Sequence, residues 1–87
     1  MDNELISNII GYVAAGVGIV TFMPQVITAW KTKQTKDISF LTFFLLATVS
    51  LLWVMYGILM SAVPIIFVNT VIFILSAFLL FLKRKYG

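Results

Sequence analysis

The charged positions divide the chain into two long apolar stretches. Leu5 to Trp30 is a run of 26 residues without a charge, and Ile38 to Leu82 is a run of 45. A short polar segment, Lys31–Asp37, separates the two runs. Because about 20 helical residues cross the apolar core of a bilayer, the first run predicts one membrane-spanning helix.

The second apolar run is too long for a single span. As one helix it would measure roughly 68 Å, more than twice the thickness of a bilayer core. The residues in it that favour a turn are Gly57, Ser61 and Pro64, and a proline suits the first turn of a new helix. The pattern therefore predicts one all-helical membrane domain over residues 1–87, with spans at about 6–30, 40–59 and 63–82.

The basic residues predict the orientation of these spans. Three spans place the termini on opposite sides of the membrane, and all six lysines and arginines then fall on one side, in the Lys31–Asp37 loop and at Lys83–Lys85. By the positive-inside rule this side is cytoplasmic, which puts Met1 and the 60–63 turn outside. The net charge of +3 is thus explained by membrane orientation, and no basic stripe for nucleic acid remains.

Composition excludes several classes of function. The chain is 62% hydrophobic and 10% charged, whereas soluble proteins have about 25% charged residues. It has no cysteine and no histidine, and its acids (Asp2, Glu4 and Asp37) lie outside the spans. We therefore expect no metal, no cofactor and no enzyme activity. Because no span carries a titratable acid, any transport is expected to run downhill without proton coupling.

Small residues recur at helical spacing in the first span. Gly11 and Ala15 are four residues apart, and so are Ala14 and Gly18. Such residues allow a second helix to approach closely, and helix packing is the preferred interpretation of this face.

Three helices, each about 10 Å wide, pack side by side without a lumen. If the protein moves a solute, the pathway must then lie between copies. Two copies related by a two-fold axis along the membrane normal keep the same orientation, so a parallel homodimer is the smallest assembly that works.

Trp53 and Asn69 are the polar or amphipathic residues of greatest interest inside the membrane. Each lies about 5 Å outward of the centre of its predicted helix, so the two share a depth. Trp53 is too deep for an interfacial aromatic belt. An aromatic face and a carboxamide at one depth suit a ligand with an apolar face and a hydroxyl rim, such as a sugar. Core packing of Trp53 and an interhelical hydrogen bond from Asn69 remain the alternatives.

Two further residues have open interpretations. Pro24 lies within the first span and has no N–H to donate to the carbonyl of Val20. Either a static kink or a moving hinge would result. Tyr56 lies one turn outward of Trp53 and either closes the outer mouth or is an ordinary interfacial tyrosine.

Five segments of the chain carry a family resemblance. In order along the chain they are Ile10–Ala15, Phe22–Val26 (FMPQV), Thr32–Ser39, Leu52–Leu59 and Val68–Val71. In sequence and spacing they resemble the PQ-loop family and, more narrowly, its bacterial SemiSWEET sugar transporters.

The resemblance implies a fold, an assembly and a mechanism. The third helix would pack between the first two, and two parallel protomers would form a central sugar pocket that works by alternating access in the plasma (inner) membrane of a bacterium. The expected substrate is a mono- or disaccharide of the glucose or sucrose class. Carried over by position, the functional residues are Trp53, Asn69, Val20 and Thr21 in the pocket, Pro24 and Gln25 at the hinge, and Tyr56 at the outer gate.

One departure from the family pattern affects the outer gate. Many relatives carry arginine and aspartate where this chain has Met60 and Ala62. An ion pair across the outer mouth cannot form here, so the outer gate is expected to depend on Tyr56 and apolar contacts. Two alternative functions remain: a PQ-loop carrier of another small solute such as an amino acid, or a membrane assembly subunit that transports nothing.

Overall fold

The computed structural model describes residues 2–87 and has three helices. These are α1 (Asn3–Thr32), α2 (Phe40–Met60) and α3 (Val63–Tyr86). Each is long and apolar enough to cross a membrane, so the prediction of an all-helical protein with three spans is confirmed. Met1, which was expected at the outer surface, lies outside the described residues.

Side-chain caps explain where the helices begin. Asp2 accepts a hydrogen bond from the Leu5 amide at 2.7 Å, and this N-cap starts α1 three residues before the predicted span. Ser39 caps α2 in the same way by accepting from the Thr42 amide at 3.2 Å. A side-chain oxygen at this position satisfies an amide that the first turn leaves free.

The turn between α2 and α3 is tighter than expected. Ser61 adopts a left-handed conformation with φ 55°, and the Ala62 amide donates to the Gly57 carbonyl at 2.8 Å. The prediction that Gly57 helps to break the helix is wrong, because Gly57 lies inside α2 and is buried. A methyl group placed on Gly57 would lie 2.9 Å from Cγ1 of Ile66. Glycine therefore permits close approach of α3 here.

Helix α3 lies between the other two, as the family resemblance implied. The Cα atoms of α3 approach those of both α1 and α2, whereas within residues 2–87 no Cα pair of α1 and α2 lies within 8 Å. The Cα atoms span 49 × 22 × 13 Å, so the protomer is elongated along its helices and broader than it is thick. The loop between α1 and α2 and the end of α3 lie together at one end, here called the basic end. The Ser61–Ala62 turn lies at the opposite end, beside the start of α1.

Small residues mediate the contact of α1 with α3 near the opposite end. Gly11 lies against Pro64, Ala15 is buried and Gly18 faces Val68. The predicted small-residue face thus packs on a helix. Ala14, however, is exposed.

Near the basic end, larger apolar side chains pack the three helices together. The buried cluster consists of Val26 and Ala29 of α1 with Leu79 and Leu82 of α3. Five partly buried residues surround this cluster, namely Phe22, Ile38, Phe43, Leu75 and Phe78. The two ends of α1 are therefore held by different kinds of contact.

The close contact at Gly11 leads to a stability prediction. In Gly11→Ala the new methyl group would lie 2.7 Å from Cβ of Pro64, so we expect the free energy of unfolding to fall by about 1–3 kcal/mol through overpacking. Gly16→Ala is the matched control, because Gly16 lies on the same helix and, in the described part of the chain, its added methyl would have no atom within 4 Å apart from its chain neighbours and the local helix backbone. Thermal unfolding in detergent, followed by circular dichroism, measures both. Equal loss in the two variants would contradict the prediction.

Candidate functional site

The register of α2 against α3 brings Trp53 and Asn69 to the same level. The two helices run antiparallel and are closest where Gly57 meets Ile65 and Ile66. Trp53 lies one turn from Gly57, and Asn69 lies one turn from Ile65, both toward the basic end. Each is therefore about 6 Å along its helix from the same contact. An aromatic ring and a carboxamide thus lie at one depth on neighbouring helices.

Trp53 presents an aromatic surface that the protomer does not cover. Its side chain is 47% exposed. The Tyr56 ring meets it edge to face, with ring centroids 5.3 Å apart and an interplanar angle of 88°. This geometry is favourable for aromatic pairs and ties the orientation of the two side chains together.

Asn69 keeps most of its hydrogen-bonding capacity free. Its Nδ2 donates to the Ile65 carbonyl of its own helix at 3.0 Å, the one hydrogen bond of this side chain within residues 2–87. A carboxamide has two donor hydrogens and an acceptor oxygen. The oxygen and the second hydrogen are therefore available to a ligand or to another chain.

Val20 and Thr21 lie on α1 within about one turn of this level, since Gly18 contacts Val68 just before Asn69 on α3. Val20 is 71% exposed. The Thr21 hydroxyl donates to the Val17 carbonyl at 2.7 Å, so its oxygen can still accept a hydrogen bond. The four predicted pocket residues thus lie within about one helical turn of the same depth.

Pro24 and Gln25 lie beside open space. Helix α1 continues without interruption through Pro24. A groove of about 340 Å³ separates this part of α1 from the following loop, and its lining includes Pro24, Gln25, Gln34 and Ile38. The helix segment after Pro24 therefore has room on one side.

The protomer alone does not enclose a ligand. Three surface cavities of 330 to 380 Å³ lie at the two ends and beside Pro24, and none is lined by Trp53 or Asn69. Among residues 2–87 no group of three His, Cys, Asp or Glu side chains could hold a metal. Trp53, Val20 and Thr21 are exposed and Asn69 is half-buried, and none of the three cavities encloses these candidate residues.

The sequence reasoning missed a contact made by Lys83. The basic residues were expected only to anchor and orient the chain, but the Lys83 ammonium donates to the Thr35 carbonyl at 2.9 Å and to the Lys36 carbonyl at 3.3 Å. No sequence signal distinguishes Lys83 from its basic neighbours, because its partners are backbone atoms 47 and 48 residues away.

Comparisons with known proteins agree on one family. The family model described as "PQ loop repeat" matches residues 6–66. A protein of Leptospira biflexa serovar Patoc named "Sugar transporter SemiSWEET" is 42% identical over 80 residues, covering 92% of this chain and 94% of that protein. A protein of Bradyrhizobium diazoefficiens with the same name is 37% identical over 87 residues, the full length of both.

A solved structure agrees with these relatives. It is described as the crystal structure of a bacterial homologue of SWEET transporters, and it matches with a TM-score of 0.88 at 33% identity. The match covers 94% of this chain and 99% of the other. The fold is therefore that of these homologues over nearly its whole length.

The geometry of Asn69 leads to a prediction about its contribution to stability. Because its one hydrogen bond stays within α3, Asn69→Ala should lower the free energy of unfolding by less than about 1 kcal/mol. Leu79→Ala, which empties a fully buried position, should cost about 2–5 kcal/mol and calibrates the assay. Thermal unfolding in detergent measures both. A loss at Asn69 as large as that at Leu79 would mean that the amide serves the fold.

Proposed function

The chain belongs to the PQ-loop family, within its SemiSWEET group, and from this membership we propose that it transports a sugar across the membrane. Both relatives are named as sugar transporters, not as enzymes. Their similarity to this chain covers nearly their full length. The three helices long and apolar enough to cross a membrane support an integral membrane protein. In our proposal this membrane is the plasma (inner) membrane of a bacterium, with the N-terminus outside and the basic end in the cytoplasm.

We propose that the working unit is a parallel homodimer. The protomer leaves Trp53 about half exposed, and a second protomer in the same orientation would face it with the same residues. The two-fold axis then runs along the membrane normal between the copies, and the sugar moves along this axis.

The observation that carries the proposal is the shared level of Trp53, which is exposed, and Asn69, which is half-buried and keeps free hydrogen-bonding capacity. A sugar has C–H faces that pack against an indole and a rim of hydroxyls that exchange hydrogen bonds with a carboxamide. In the dimer, the two copies of these residues would hold a mono- or disaccharide of the glucose or sucrose class from both sides. Val20 and Thr21 would complete the lining of the pocket.

Alternating access needs one movable gate at each end. In our proposal the segment of α1 after Pro24 and Gln25 moves as the inner gate, because Pro24 removes one backbone hydrogen bond and the adjacent groove leaves space. Tyr56 closes the outer mouth. Its edge contact with Trp53 would couple this gate to the bound sugar. Transport is downhill, since within residues 2–87 the one acid in a helix is Glu4, in the first turn of α1, and no acid lies deeper in a span to carry a proton.

An uptake assay in liposomes tests the pocket. Labelled glucose or sucrose should enter down its gradient at a rate that a pH jump does not change. Trp53→Ala and Asn69→Ala should each lower uptake at least about tenfold, because each removes contacts that nothing else in the pocket replaces. A panel of amino acids run in parallel tests the alternative substrate class.

The chain supplies matched controls for both pocket variants. Phe44→Ala removes another exposed aromatic side chain of α2, which stacks on Phe40 of the same helix near the basic end. Thr70→Ala removes the side chain next to Asn69, which also bonds a carbonyl of its own helix. Both controls should keep uptake near that of the parent. Uptake that persists in Trp53→Ala and Asn69→Ala would refute the pocket, and no uptake of any solute by the parent would favour a subunit that transports nothing.

A second assay distinguishes a moving hinge at Pro24 from a static kink. Pro24→Ala restores an amide that can bond the Val20 carbonyl, so the helix should stiffen and uptake should fall at least about tenfold. Sugar affinity, measured by titration calorimetry, should stay unchanged because the pocket residues are intact.

Pro64→Ala is the control for this variant. Pro64 lies in the first turn of α3, where no amide is required, and Pro64→Ala keeps the Cβ that meets Gly11, so uptake should change little in protein that circular dichroism shows to be folded. If Pro24→Ala transports as fast as the parent, Pro24 is a static kink.

A further inference from the structure

The ammonium of Lys83 joins the end of α3 to the loop between α1 and α2. Its Nζ donates to the carbonyls of Thr35 at 2.9 Å, Lys36 at 3.3 Å and Gly87 at 3.2 Å. A lysine ammonium has three donor hydrogens and no acceptor. These three carbonyls therefore satisfy it fully, and two of them belong to the loop.

The loop is held at this place by its backbone. Thr35 is 1% exposed, yet its hydroxyl has no hydrogen-bond partner within residues 2–87. Its carbonyl, in contrast, accepts from both Lys83 and the Ile38 amide. Hydrogen bonds from a charged donor are roughly twice as strong as neutral ones, so Lys83 is the principal polar tie between this loop and α3.

The same loop continues directly from the part of α1 beyond Pro24. The Lys33 amide donates to the Ala29 carbonyl at 2.9 Å, which closes the end of α1. Ala29 packs with Leu82, the residue before Lys83. The Lys33 ammonium also lies 5.8 Å from the centroid of the Tyr86 ring. The end of α1 and the loop are thus attached to the last turns of α3 as one body.

We propose that Lys83 is a positioning residue that latches this body onto α3. The inference rests on the proposed function: if the segment of α1 beyond Pro24 moves during transport, its loop must leave the Lys83 ammonium and return to it. Lys83 then sets the fraction of time for which the segment of α1 beyond Pro24 is docked on α3. It does so without touching the sugar.

The neighbouring basic residues separate this role from general anchoring. Within residues 2–87, Arg84 makes no hydrogen bond or ion pair, and Lys85 lies over the rings of Phe81 and Tyr86. All three side chains serve equally as positive charges at the membrane surface, but only the Lys83 ammonium reaches the loop. Arg84→Met is therefore a matched control for Lys83→Met, since each removes one charge from the same helix end.

Cysteine alkylation measures release of the loop. The chain has no cysteine, so Thr35→Cys adds a single, buried thiol at a position whose hydroxyl bonds to nothing. In this background, purified in detergent, we expect Lys83→Met to raise the rate of maleimide labelling at least about tenfold, because a charge-assisted tie is lost. Arg84→Met should label as slowly as the parent. Lys83→Arg, which keeps a charged donor, should restore slow labelling.

Transport provides the second readout. With native Thr35, Lys83→Met should change the uptake rate at least about threefold in either direction while leaving sugar affinity unchanged, since gate positions shift and the pocket does not. Circular dichroism and elution volume confirm that each variant is folded.

The outcomes separate the latch from the proposed function. Equal labelling of the Lys83→Met and Arg84→Met variants overturns the latch, whatever the uptake assay gives. Fast labelling of Lys83→Met with slow labelling of both controls supports it. Absence of sugar uptake by the parent overturns the proposed function by itself and leaves the labelling result as a property of the loop.

Discussion

The first turn of α3 lies between two glycines, and this contact determines the register of all three helices. Pro64 lies against Gly11 of α1, and Ile66 lies against Gly57 of α2. In a bilayer, lipid competes equally well for apolar side chains, so helices associate chiefly where small residues allow close van der Waals contact. Because helices rise regularly from this point, it also determines which residues of each helix share a depth.

Helix α3 lies between α1 and α2, and the two outer helices meet each other at the ring pair of Phe22 and Phe43. The outward-facing sides of the three helices are covered only by lipid or by another protein, and Trp53 and Val20 are exposed there. In our proposal, Trp53 and Asn69 form a binding site only when two copies associate, so the 87-residue protomer needs no lumen of its own.

Much of the fold could be predicted because membrane insertion depends on simple properties that are visible in the sequence. The lengths of the uncharged runs predicted three spans, and the structure confirms them. Gly57 was misinterpreted because glycine favours both helix breaks and close helix contacts, and only the packing partner decides between them. Asp2 and Lys83 were missed for a related reason. The Asp2 cap extends a helix that the apolar pattern began later, and Lys83 contacts backbone atoms that are distant in sequence. The roles of Trp53 and Asn69 remain predictions.

The two ends of α1 are held by different kinds of contact, which bears on how a gate could move. Beside Pro64, the backbone of Gly11 lies so close to α3 that a methyl group added to it would lie 2.7 Å from Cβ of Pro64. Beyond Pro24, α1 meets α3 through apolar side chains, whose separation in a membrane exposes them to lipid tails and changes the free energy little. The hydrogen bonds of Lys83 lie at the edge of the membrane, where water can replace the carbonyls when the loop leaves. The docked and undocked positions of this segment can therefore be close in free energy, and a closely balanced equilibrium is what a carrier needs at a gate that opens and closes once per sugar.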